Sequence, residues 1–159
     1  MRRLIRAASA AGAAAMVALA AAGCSAARAS GSAIAVPAAY VQLPSSGNTT
    51  VGYLDIRNNG SADELISVRT SVGGTVELRA PVRPETAPVT FHTVSDIPIP
   101  AGEMTQLVPD SYHLKITGAG PMQDGKDITL KLTFAHAGTI TILALVTNPA
   151  SGNGSGYFF

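Results

Sequence analysis

The chain is expected to fold as an all-β protein, a β-sandwich with Greek-key connections, because apolar and polar residues alternate with a period of two through most of its length. Two further observations point the same way. Glycine, proline and Asn/Asp turns divide the alternating stretches at short intervals, and nothing after the N-terminal leader has the 3.6-residue period of an amphipathic helix. Many short strands with frequent turns are the pattern of a sandwich rather than of a layered α/β protein.

The N-terminus opens Met1-Arg2-Arg3-Leu4-Ile5-Arg6 and runs through Ala, Met, Val and Leu to Ala22-Gly23-Cys24-Ser25. A basic start followed by an apolar run and small residues is a secretory signal, and this run is too short and too alanine-rich to span a membrane. The chain's 1 cysteine stands directly after Gly23. The match resembles a lipobox, with Ala21 where Leu is commoner, so residues 1–23 read as a lipoprotein signal peptide and Cys24 as the lipidated first residue of the mature chain. Ordinary cleavage leaving a free Cys24 is the alternative. Residues 24–34 then form a flexible tether from the lipid, and the protein is expected outside the cytoplasm, anchored to the cell membrane.

Charge excludes one class of partner. Of 11 Lys+Arg, the signal holds Arg2, Arg3 and Arg6, leaving 11 − 3 = 8 against 10 Asp+Glu, a net charge near −2. Such a chain lacks the basic surface that displaces counterions from nucleic acid. With a single cysteine there is no internal disulfide, so the core alone must hold the domain.

The strands follow in order. Residues 50–57 alternate and stop at Asn58-Asn59-Gly60-Ser61, a turn in which Gly60 is expected to supply positive φ. Residues 65–71, 75–79, 89–94, 104–108, 112–116, 127–134 and 139–146 repeat the pattern. Pro98 and Pro100 suit a strand edge or connection that needs no amide donor, and Gly102 suits a turn. Residues 148–159, with Pro149, Gly152, Gly154 and the terminal Tyr157-Phe158-Phe159, read as a flexible tail.

Several phrases carry more than architecture. Tyr53-Leu54-Asp55-Ile56-Arg57-Asn58-Asn59-Gly60, Val76-Glu77-Leu78, Ile97-Pro98-Ile99-Pro100-Ala101-Gly102, Tyr112-His113, Gly125 and Leu130-Lys131-Leu132-Thr133-Phe134 occur together in one order and spacing. In that order they resemble the periplasmic copper chaperone family, the PCuAC-like proteins, over roughly residues 35–147. The resemblance implies a cupredoxin-like sandwich, with copper handling in the cell envelope and delivery to envelope oxidases. That family's metal site is a His-Met pair, a further Met, and a His-x-Met group. Anchoring on Val76-Glu77-Leu78 carries those positions, without a gap, onto Arg79, Ala80, Phe91, His113 and Lys115. Of these only His113 matches.

Copper(I) prefers soft donors, and thioethers with imidazole hold it well. Here a guanidinium and an ammonium stand where donors would be, which is opposite electrostatics as well as lost affinity. A rebuilt copper site would draw on His113, His92, Met104 and Met122. On a strand, however, His92 points away from the side of Phe91. Without metal, His113 is a half-buried histidine bonded to backbone, with Tyr112 and Leu114 turned to the core. Arg79 and Lys115 offer another possibility, an anion site. Two cations brought together cost on the order of 1 kcal/mol at about 4 Å in water unless a negative charge intervenes. That charge is either internal, Glu77 or Glu85, or external, an anion or an acidic partner. Arg83 could be paired with Glu77, Glu85 or Asp96. His136, in Ala135-His136-Ala137-Gly138, is expected at a hairpin tip and only solvated.

No nucleophile elbow, phosphate loop or Cys/His zinc cluster is present in the sequence, so an enzyme is not expected. Three sequons, beginning at Asn48, Asn59 and Asn153, are incidental behind a bacterial lipoprotein signal. Three readings stay open: a copper chaperone with an altered site, a module binding an anion or acidic partner, and a lipid-anchored interaction protein with no small ligand. The expected assembly is a monomer held by lipid through Cys24, with an envelope protein as possible partner.

Overall fold

In the computed structural model, which describes residues 31–151, ten strands follow one another before a short 3-10 turn at Pro149–Ser151. They are β1 (Ile34–Gln42), β2 (Thr49–Asn58), β3 (Asp63–Thr70), β4 (Thr75–Val82), β5 (Thr90–Val94), β6 (Ile97–Ile99), β7 (Met104–Leu107), β8 (His113–Thr117), β9 (Asp127–Phe134) and β10 (Gly138–Thr147). The signal, Cys24, most of the tether, and the tail with Asn153 and Tyr157-Phe158-Phe159 lie outside the described residues. Among the described residues no helix is long and apolar enough to cross a membrane.

Hydrogen bonds order the strands β5-β4-β8-β2-β1-β10-β9-β3-β6, with β7 also on β2. Every pairing is antiparallel except β1 with β10. The sheet curls into a nearly closed barrel, the cupredoxin-like arrangement, because one side of each strand is apolar and must be covered. β9 shows the rule: Ile128, Leu130, Leu132 and Phe134 are buried, while Asp127, Thr129, Lys131 and Thr133 face out. Its buried residues meet Leu114 and Ile116 of β8 and Leu54 and Ile56 of β2 in one core. Each such side chain contributes about 1.5–3 kcal/mol by leaving water.

Strand β2 carries two partners end to end. Residues 49–52 pair with β8 and residues 54–57 with β7. Between β7 and β8 the chain leaves the sheet at residues 108–112, in an excursion tightened by the Ser111 amide donating to the Val108 carbonyl at 3.1 Å. Asp110 takes φ 62° there, a left-handed turn conformation that Asp tolerates better than most residues. The excursion returns His113 to the sheet beside Tyr53.

Three expectations need correction. β1 starts at Ile34 and lies between β2 and β10, so what read as the end of the tether is already sheet. Its alternation is masked because its outward residues are Ala35, Pro37 and Ala38, with a register shift between Ala35 and Ala38 that accommodates the proline. Gly60 is not among the positive-φ glycines; it is needed because a Cβ there would stand 2.2 Å from the Gly31 carbonyl oxygen.

His136 has a partner. Its turn joins β9 to β10, and the fully buried carboxylate of Asp63 accepts hydrogen bonds from the amides of His136 at 2.9 Å, Ala137 at 2.8 Å and Glu64 at 2.8 Å. The exposed His136 ring places Nδ1 3.3 Å from the same carboxylate. Burial works to raise the Asp63 pKa, but the nearby Ser32 hydroxyl and the hydrogen bonds from the amides of Glu64, His136 and Ala137 outweigh it and hold the carboxyl well below the usual range.

Candidate functional site

Strands β4 and β8 set Glu77 opposite Lys115 and Arg79 opposite His113. Alternate residues of a strand point the same way, so these four side chains share the outward face while Leu78, Leu114 and Ile116 enter the core. β5, on the far edge of β4, places Thr93 opposite Arg79 and Phe91 opposite Pro81, which brings both to the same face. Tyr53 of β2 and Tyr40 of β1 extend it beyond β8, with ring centroids 5.2 Å apart. Of the positions carried over by resemblance, Arg79, Phe91, His113 and Lys115 therefore converge, whereas Ala80 is buried on the other side of β4.

Arg79 is fixed on three sides. Its Nη1 donates to Thr93 Oγ1 at 2.7 Å and lies 3.2 Å from Glu77 Oε2, and its Nη2 donates to the Phe91 carbonyl at 2.6 Å. Thr93 Oγ1 in turn donates to Glu77 Oε2 at 3.3 Å. Lys115 Nζ approaches the same Oε2 at 3.9 Å, with a more exposed side chain than Arg79, 41% against 19%. Glu77 is thus the internal counter-ion of both cations. Arg79 is the stronger partner, since a half-exposed lysine at that distance contributes little. Arg83, rather than joining this cluster, donates to the Asp110 carbonyl and ties the two loops beside the site.

His113 sits between rings. Phe91 meets it edge-on with centroids 4.4 Å apart, and Tyr53 lies 6.3 Å away. Nδ1 is 3.1 Å from the Ser111 carbonyl oxygen, which can only accept, so Nδ1 carries the proton and the neutral ring leaves Nε2 free to accept or to bind a metal. Burial lowers the His113 pKa; the Ser111 contact works to raise it and the Arg79 charge lowers it further. The ring is held neutral, the state a metal ligand needs.

The remaining candidates stay apart. His92 pairs with Ala80, one position off the Arg79 row, and so faces away from His113. Met104 pairs with Arg57 on β2, four positions beyond Tyr53, about 13 Å along the strand. Met122 follows the opposite end of β8 from His113 and packs against the core. Among the described residues no three His, Cys, Asp or Glu side chains gather as a metal-binding group. The sequence reading missed Thr93 and the Tyr40–Tyr53 pair as parts of this face. Strand parity with Phe91 would have found Thr93; nothing local marks Tyr40.

Residues 34–146 match the model of the family described as lipoprotein LpqE-like. A comparison with curated proteins finds no match. Among solved structures, the apo PCuAC domain from PmoF1 superposes with a TM-score of 0.63 at 19% identity, covering 73% of this chain and 94% of that one. The copper-bound PCuAC domain from PmoF2 gives 0.61 at 20%, covering 73% and 93%. Copper(I)-bound DR1885 from Deinococcus radiodurans gives 0.57 at 20%, covering 69% and 75%. At these identities the solved structures establish the fold, and the family match spans most of the chain: it belongs to the LpqE-like family, and its domain has the PCuAC fold.

Proposed function

We propose that this chain is an extracytoplasmic lipoprotein, anchored through Cys24, whose copper-chaperone-like domain no longer carries copper(I) tightly at the family position and acts instead by contact with an envelope protein. The observation behind this reading is Arg79. Its guanidinium, bonded to Thr93, Glu77 and the Phe91 carbonyl, stands where the resemblance places a copper-binding His. A lone imidazole nitrogen with a fixed cation beside it is a poor site for a further cation. Two of the similar structures are copper-bound, and the His113 Nε2 lone pair is what remains here of a donor set.

Two experiments test the two halves. Copper(I) titration of the protein against a competing chelator should give weak binding; a tight one-to-one complex lost in His113→Ala would return the chain to the copper carriers. Cys24→Ser should release the protein from the membrane fraction with altered mobility, and unchanged fractionation would refute the anchor.

A second reading rests on charge. Arg79 and Lys115 share one carboxylate, Glu77, so this three-residue cluster keeps one excess positive charge and suits an acidic group on a partner or a small anion. Arg79→Glu with Lys115→Glu should then lose envelope partners in a pull-down, with stronger capture by the parent at low salt.

A further inference from the structure

The opposite side of the barrel holds a second arrangement of charge. β9 lies between β3 and β10, and its register sets Lys131 directly opposite Arg69 on one side and Thr141 on the other. Both cations are exposed and point outward, since Leu130, Leu132 and Val68 beside them fill the core. Like charges directly opposite on a sheet repel. Among the described residues no hydrogen bond or ion pair joins the side chain of Arg69 or Lys131 to any other group. The acids of this face stand at its margins, Glu64 at the start of β3 and Asp127 at the start of β9. Lys131 and Asp127 are about 13 Å apart along the strand.

Around the pair the surface is hydroxylic and apolar. The neighbouring row is Ser67, Thr133 and Thr139, and the row on the other side sets Thr129 opposite Leu143. Leu143 is 65% exposed and Ile66, the extra residue where the β3 register shifts, is 42% exposed. Two cations without counter-ions, hydroxyl groups and two projecting aliphatic side chains together match a phospholipid surface, whose phosphates accept from the first two sets and whose interface takes the third.

We infer that the outer face of β3, β9 and β10 rests on an anionic membrane surface, with Arg69 and Lys131 on lipid phosphates. The inference rests on the anchor at Cys24. The roughly ten residues from Cys24 to the start of β1 at Ile34 reach at most about 35 Å, so the tether holds the domain where even weak lipid contacts act at high effective concentration. The His113 face is centred on β8, across the shared core from β9, while its edge strand β4 adjoins β3. Seating β3, β9 and β10 on the membrane turns the His113 face outward to protein partners.

Lysine footprinting of the full chain tests this with its own internal reference. The protein is acetylated on an excess of vesicles made of phosphatidylglycerol with phosphatidylcholine, or of phosphatidylcholine alone, and each lysine is read by mass spectrometry. Lys131 should react several-fold more slowly on the anionic vesicles, while Lys115 reacts alike on both. The protection should disappear at high salt and shrink in Arg69→Gln. Equal Lys131 reactivity on the two vesicle types would overturn the inference. So would equal protection by inorganic phosphate without vesicles, which would assign the pair to a soluble anion. Co-flotation with the neutral vesicles reads the anchor separately: a chain that fails to float refutes lipidation, while the footprint on excess anionic vesicles still judges the face.

Discussion

Replacing Asp63 by asparagine isolates the interaction that joins β3 to the β9–β10 turn. The native carboxylate is fully buried and accepts three amides, those of Glu64 and His136 on Oδ1 and that of Ala137 on Oδ2. Asparagine offers one oxygen, so its NH₂ must face at least one of those N–H groups. A buried donor left unpaired costs about 1–3 kcal/mol, and hydrogen bonds to a charged acceptor are worth about 1.5–3 kcal/mol each. Because Asn keeps part of the set, Asp63→Asn should lose about 3 kcal/mol in all, which lowers the melting temperature by roughly 10 °C for a domain of this size. The pH dependence has a definite sign. A carboxyl whose folded pKa is depressed contributes stability that is present above its unfolded pKa of about 3.9 and lost as pH falls below it. Denaturant unfolding of the parent should weaken through that acid range, and the variant should lack this part of the slope. A loss below about 1 kcal/mol at neutral pH, or an unchanged acid slope, would refute the reasoning.

Other expectations concern the outward face and the N-terminal seam. His113 also has a lowered pKa, so the unfolded chain takes up its proton first; parent stability should begin to fall as pH drops below about 6.5, the unfolded value, and His113→Gln should remove that step in melts across pH. Arg79→Met should cost about 1–2 kcal/mol because it strips partners from Thr93, Glu77 and the Phe91 carbonyl, whereas Lys115→Met should cost under about 0.5 kcal/mol, both read by denaturant unfolding. Gly60→Ala drives a Cβ to 2.2 Å from the Gly31 oxygen and should loosen the segment before β1, seen as faster proteolytic cutting near Ser32 and Ala33.

The strands were legible where one side of the sheet is polar. β9, Asp127–Phe134, could be read to the residue from its alternation, and β2, β8 and β10 to within a residue or two. β1 was hidden because alanine and proline replace polar residues on its outer side, and β6, Ile97–Ile99, is too short to show a period. The convergence of Arg79, Phe91, His113 and Lys115 was legible through parity and the family phrases. The role of Glu77 was only one alternative, since sequence spacing does not say which carboxylate reaches two cations. The Asp63–His136 contact joins residues 73 apart in the chain, and no local pattern announces such a pair.

If the copper position persists in shape while its donors are gone, copper(I) affinity should follow the donor set and not the fold. The direct measurement is copper(I) affinity, by chelator competition, of the parent beside a variant in which donors are restored on the His113 face: Arg79→His, Phe91→Met and Lys115→Met. Weak binding by the parent is expected, with a gain of at least about 100-fold, or roughly 2.7 kcal/mol, in the variant. A parent that binds as tightly as the restored variant would contradict it.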